Sequence, residues 1–161
     1  MPPTPEDLTK ILSTSDINVI KRQYDPIKMG TVLSYTLTTQ YPAITPYMTT
    51  MGGALYPEMQ AGGKDSPLPP ANRERCLVAL LAGRARHLQL AVHIYTAIAN
   101  GVDPSELVHI LLATGVYTGF DTVPTSFGVM QTTLDVLKGL VATNTADPKT
   151  VVGALFVALP D

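Results

Sequence analysis

At three places along the chain, a small side chain bearing an oxygen, followed at once by proline, opens onto a stretch of good helix formers. Thr4-Pro5 leads into EDLTKIL, Asp103-Pro104 into SELVHILLATGVY, and Asp147-Pro148 into KTVVGALFVAL. This is the grammar of a helix start. The oxygen accepts from the unpaired N–H groups of the first turn, and the proline occupies a position where its missing N–H costs nothing. Asp7 and Glu106 add an acid at the third helical position, the pattern of a capping box. Three such starts predict an all-α fold.

Other elements follow the same logic. Arg73 to about Gly83 reads as a helix with Leu77, Val78, Leu80 and Leu81 apolar, and Arg86 to Asn100 as a second, stopped by Asn100-Gly101. A third runs from Asp103 to about Tyr117, and a fourth from Thr122 or Thr125 to about Val141. Thr31 to Tyr41 is rich in Thr and Tyr, so propensity admits a strand as well as a helix there. Pro42 and Pro46 mark breaks. The stretch PYMTTMGGALYPEMQ reads as partly helical, weakened by Gly52 and Gly53, and AGGKDSPLPP, Ala61 to Pro70, as a loop: a lid or a connector. The chain reads as one all-α domain over residues 1–161.

Of the 161 residues, 45% are hydrophobic and only 15% charged, and the mean hydropathy is +0.18. A chain so apolar is expected to bury surface against copies of itself. The formal net charge of −2 and the absence of basic runs exclude a nucleic-acid binder. No apolar run approaches the roughly 20 residues of a membrane span, and MPPTPEDL lacks the features of a leader, so a cytoplasmic location is expected. One cysteine, Cys76, rules out an internal disulfide and any CxxC chemistry. With three histidines beside it, a metal site within one chain is not expected.

The chemistry concentrates on the second helix. On a wheel of about 100° per residue, Gln89, His93, Ala97 and Asn100 cluster around Arg86, with Leu88, Ala91, Ile94, Tyr95 and Ile98 opposite. Arg86, Gln89 and His93 thus share a face at spacings of three and four. Two readings stand: a solvated face of an amphipathic helix, or a stripe lining a pocket, where a histidine that titrates near neutrality is chemically useful. His87 reads as exposed at a helix start and His109 as structural. Cys76, beside Arg75 and near Arg73, is either inert or a reactive thiol. Tyr24, Tyr35, Tyr41, Tyr47 and Tyr56 admit packing or pocket lining.

The run RERCLVALLAGRARHLQLAVHIYTAIANGVDPSELVHILLATGVYTGFDTVPTSF resembles the core of the carboxymuconolactone decarboxylase family, which includes the AhpD-like alkylhydroperoxidases. His93, AIANGV, DPSEL and LLATGVYTGF follow one another in the family's order, over roughly residues 68–137, with 1–67 as a helical extension. The resemblance implies an AhpD-like helical domain with a central helical hairpin. It also implies homo-oligomers, often trimers or hexamers, whose neighbouring chains close the active site. His93 matches the family's histidine. The two cysteines of the peroxidase branch fall on Arg86 and Gln89, so a two-cysteine peroxide cycle has no thiols to run on. Glu74 matches the family's glutamate if the spacing is ungapped; a gap of one or two would place Arg75 or Cys76 there. In the lactone decarboxylase branch, which uses no metal or organic cofactor, glutamate is often found where Gln89 stands.

The expected function is therefore cofactor-free proton transfer next to a carbonyl of a small, oxygenated and anionic substrate. His93 would be the acid/base and Glu74 its tuning partner. Arg86 and Arg84 would hold a carboxylate or stabilise an enolate, Gln89 would orient the substrate, and Tyr117, Tyr35 or Tyr95 would line the pocket. A non-catalytic ligand-binding or scaffold protein of the same fold is the second reading, and a single-thiol redox protein using Cys76 the third.

Overall fold

The computed structural model describes residues 3–159, and among them there is no strand. The α-helices are α1 (Pro5–Lys10), α2 (Thr14–Gln23), α3 (Pro26–Gln40), α4 (Met48–Leu55), α5 (Pro70–Gly83), α6 (His87–Ala99), α7 (Pro104–Thr118), α8 (Thr122–Ala142) and α9 (Pro148–Ala158). Short 3₁₀ turns at Pro42–Tyr47 and Pro57–Met59 flank α4. The fold is all-α, as the three cap-and-proline starts predict.

Those starts are built as the sequence indicates. The side chain of Thr4 accepts from Asp7 N–H and that of Asp7 accepts from Thr4 N–H. Asp103 accepts from Ser105 N–H, and Asp147 from Lys149 and Thr150 N–H. The same grammar governs two starts the sequence reading does not identify. Ser13 and Asp16 form a full capping box on α2, and Asp25 with Pro26 opens α3 five residues ahead of Thr31. That cap resolves the choice between strand and helix at Thr31 to Tyr41 in favour of helix.

The core is organised around α6, in which nine of thirteen residues are buried. A helix apolar on nearly all sides belongs at the centre, and α5, α8, α2 and α9 pack round it. Tyr95 is fully buried and meets Tyr24 edge-on, with ring centroids 5.9 Å apart. The helix stops where Gly101 takes a left-handed φ of 94° and Val102 N–H reaches back to Ala97 O. Helices α7 and α8 close tightly because Gly115 has no side chain to meet Val123.

The hairpin between α5 and α6 turns at Ala85, whose φ is +50°. Arg86 N–H returns to Leu81 O at 3.2 Å across this turn. A left-handed residue at this place is normally glycine, and alanine carries a cost of about 1–2 kcal/mol. Ala85→Gly is accordingly expected to raise stability by about 0.5–1 kcal/mol, read from a urea melt.

The N-terminal helices are tied to α8 and to the turn that follows it by polar contacts. Lys138 Nζ donates to Asp16 Oδ2 at 2.7 Å, and Gln23 bonds the Asn144 carbonyl and Ala146 N–H. The Lys138 bond, with those from Ser13, holds the Asp16 carboxyl at about 2, below its ordinary 3.8. A carboxyl lowered on folding stabilises the protein above its unfolded pKa and ceases to do so as pH falls through the folded one. Wild type should therefore exceed Asp16→Asn in stability by a constant margin above about pH 4. That margin should shrink below it and vanish near about pH 2, as followed by denaturant titration across this range.

Candidate functional site

Helices α5 and α6 face each other across the hairpin, and this brings Glu74 and His93 together. His93 Nδ1 lies 2.7 Å from Glu74 Oε2. Glu74 is fully buried, whereas the His93 side chain keeps 15% of its surface open. A carboxylate can only accept, so the shared proton belongs to Nδ1 and Nε2 is left as the basic nitrogen.

Behind Glu74 stands Arg73, 5% exposed. Its Nε donates to Glu74 Oε1 at 3.1 Å, its Nη2 to Glu58 Oε1 at 2.5 Å, and its Nη1 to the Leu55 carbonyl at 2.7 Å. Its guanidinium also lies over the ring of Tyr56, 4.3 Å from the centroid. Burial alone would loosen its proton. The hydrogen bond to Glu58 and the charges of Glu74 and Glu58 outweigh burial and raise its pKa. Burial, with the Glu74 charge, pushes the Tyr56 phenol up to about 12, so it stays a proton-bearing donor at neutral pH.

His93 opens onto a cavity of about 530 Å³. Its walls come from α3, α4, the 3₁₀ turn at Pro57–Met59, α6 and α9, and Tyr56, Gln89 and His93 are among the polar side chains lining it. Gln89 Oε1 is buried with no hydrogen-bond partner among the described residues.

The residues singled out from the sequence divide sharply. His93, Glu74 and Gln89 are brought together, with Gln89 and His93 on the cavity wall and Glu74 directly behind. Arg84 and Arg86 are exposed at the hairpin and do not line the cavity within this chain. Arg86 is not the first helical residue but the N-cap of α6, with φ −95° and ψ 85°. Tyr117 is 90% exposed near the end of α7 and Tyr35 is also exposed, while Tyr95 lies in the core. Of the N-terminal tyrosines, Tyr56 lines the cavity and Tyr24 packs in the interior against Tyr95. Tyr41 and Tyr47 are exposed. Cys76 is a free, exposed thiol on α5, away from the cavity wall, and His109 is exposed. His87, expected in solvent, is half-buried, and its Nε2 has no partner among the described residues.

Sequence reasoning missed Glu58, the role of Arg73, and the contribution of α3, α4 and α9 to the cavity, and it did not set Tyr56 apart from the other N-terminal tyrosines. A faint signal existed in the methionines of the N-terminal half, since Met48, Met51 and Met59 all line the cavity. No group of three or more His, Cys, Asp or Glu side chains is arranged to hold a metal ion among the described residues. No helix among them is long and apolar enough to cross a membrane.

A family model described as the carboxymuconolactone decarboxylase family matches residues 47–132, just over half of the 161-residue chain. The chain belongs to that family. The match starts at Tyr47, inside the segment read from the sequence as an extension, and so takes in Glu58, Arg73, Glu74 and His93. Neither a curated protein nor a solved structure matches the chain.

Removing Arg73 would leave Glu74 and Glu58 facing each other without their shared cation. Breaking a buried pair in this way costs about 3–5 kcal/mol. Arg73→Leu is expected to lose that much in chemical denaturation, whereas Arg84→Ala and Arg86→Ala should each stay within about 0.5 kcal/mol of wild type.

Proposed function

We propose that the protein is a cofactor-independent enzyme that moves a proton next to a carbonyl of a small oxygenated organic molecule. The outcome would be decarboxylation, isomerisation, or ring opening or closure. The observation that carries this reading is the Glu74–His93 pair at the cavity wall. Glu74 sets the tautomer, leaves Nε2 free to take a proton, and stabilises the imidazolium that forms. The substrate's own carbonyl is the electron sink, and the Tyr56 phenol and the Gln89 amide are neutral donors available to the developing oxyanion. Peroxidase chemistry of the two-thiol type is outside its reach, since the sequence holds one cysteine.

The reading extends to a homo-oligomer, a trimer or hexamer as the family resemblance implies. Leu80 on α5 and Val116, Tyr117 and Phe120 around the end of α7 are large apolar side chains exposed on the single chain. Arg84, Arg86 and Tyr117, outside the cavity of their own chain, would contribute to substrate binding only in such an assembly. A binding protein without chemistry is the second reading, favoured by the amide at position 89 and by the exposure of Arg86.

The test is deuterium uptake from heavy water at the carbon beside the carbonyl, followed by NMR over a panel of small ketones, keto acids and lactones. Wild type should catalyse exchange for at least one class. His93→Ala should lower it about 100-fold or more, and Glu74→Gln should lower it less, because the histidine remains but loses its fixed tautomer. Ligand binding without exchange in wild type would instead establish the binding protein.

A further inference from the structure

Arg73 and Arg75, both on α5, hold their carboxylates in different ways. The Nε–H of a guanidinium and the neighbouring Nη–H point the same way and fit the two oxygens of one carboxylate side-on. Arg75 does this with Glu106: Nε donates to Oε1 at 2.5 Å and Nη2 to Oε2 at 3.1 Å. Arg73 has the same two donors and splits them. Its Nε donates to Glu74 Oε1, while its Nη2 donates to Glu58 Oε1. Glu74 Oε2 is thereby left outside the grip of the arginine. This is the oxygen that lies 2.7 Å from His93 Nδ1.

Stability alone does not account for Glu58. Glu74 by itself matches the charge of Arg73, and a second carboxylate makes two anions share one cation. The Oε2 of Glu58 is buried with no hydrogen-bond partner among the described residues, a further cost. We propose that Glu58 is a positioning residue: by occupying Arg73 Nη2 it prevents a side-on clamp of Arg73 on Glu74 and so reserves Glu74 Oε2 for His93. With both Glu74 oxygens taken, Nδ1–H would have no acceptor. The proton would then be free to sit on Nε2, the nitrogen that must be bare to act as a base. Arg73 and Glu74 are buried within one chain, so the device does not depend on how copies assemble. The proposal deepens the acid/base function and rests on Glu74 and His93 being its reactive pair.

Nitrogen NMR of histidine-labelled protein at alkaline pH reads the tautomer of each imidazole. The sequence holds three histidines, so His87 and His109 serve as internal references. Wild type should show Nδ1–H at His93; Nε2–H there overturns the proposal whatever the variants do. In Glu58→Leu the ratio of Nδ1–H to Nε2–H at His93 should fall about tenfold or more, the worth of a hydrogen bond to a charged acceptor, with the references unmoved. Glu58→Gln removes the charge but keeps an acceptor for Nη2, so it should retain the wild-type tautomer. Glu58→Met carries the same test should the leucine variant not fold. An unchanged His93 tautomer in folded Glu58→Leu or Glu58→Met would overturn the proposal and leave Glu58 an anchor of the turn at Pro57–Met59. An equal loss in Glu58→Gln would overturn it too, since charge and not occupation of Nη2 would then be at work. In the deuterium-exchange assay Glu58→Leu should lose about tenfold, as a histidine does without its orienting carboxylate. The tautomer response in a protein that exchanges no deuterium would sink the catalytic reading alone; exchange with an unmoved tautomer would sink this one alone.

Discussion

The structure depends on one buried cation. Arg73 joins three parts of the chain that are far apart in sequence or role: Glu58 and the Leu55 carbonyl before the long loop, Glu74 on its own helix, and through Glu74 the imidazole of His93 on α6. Two carboxylates cannot stay charged in an apolar interior without such a partner. A lysine would not do, because the planar fork serves three acceptors in fixed directions while its face rests on Tyr56. The same guanidinium therefore anchors the end of α4 and keeps Glu74 available as an acceptor for the imidazole. Fold and chemistry share one hydrogen-bond chain.

This arrangement explains why the cavity lies where it does. The hairpin of α5 and α6 supplies Glu74 and His93 but cannot enclose them. Enclosure comes from α3, α4 and the turn at Pro57–Met59 on one side and from α9, late in the chain, on the other. Gly30 allows α3 to pass against Met59 with no room for a side chain between them. Much of the cavity wall thus derives from the N-terminal third of the chain, where no single residue advertises chemistry.

What the sequence made legible was local, and what it hid was not. Caps are local, so Thr4, Asp103 and Asp147 announce their helices within four residues, and Ser13 and Asp25 would have done so by the same rule. The i, i+4 relation of Gln89 and His93 is equally local and holds. Arg86 misled because the helical wheel assumes helical dihedrals from its first residue. At ψ 85° Arg86 is outside the helix, so its angular position on the wheel has no meaning. Glu58 and Arg73 are separated by a loop of Gly, Pro and charged residues, and no periodicity connects one side of such a loop to the other. Tyr56 was one tyrosine among several, distinguished only by the guanidinium beneath its ring.

A site built this way favours a particular division of labour. In many acid/base sites an arginine both binds an anionic substrate and neutralises the charge that develops on it. Here the arginine lies behind the base, screened from the cavity by Glu74 and His93. In the proposed reaction its charge would support the base. The oxyanion formed when Nε2 takes a proton would be met by neutral dipoles, the Tyr56 O–H and the Gln89 N–H. Such donors are most effective where water is scarce and the field of each is undiluted. Tyr56 suits this task because burial and the neighbouring Glu74 keep its proton in place, so it can donate without transferring.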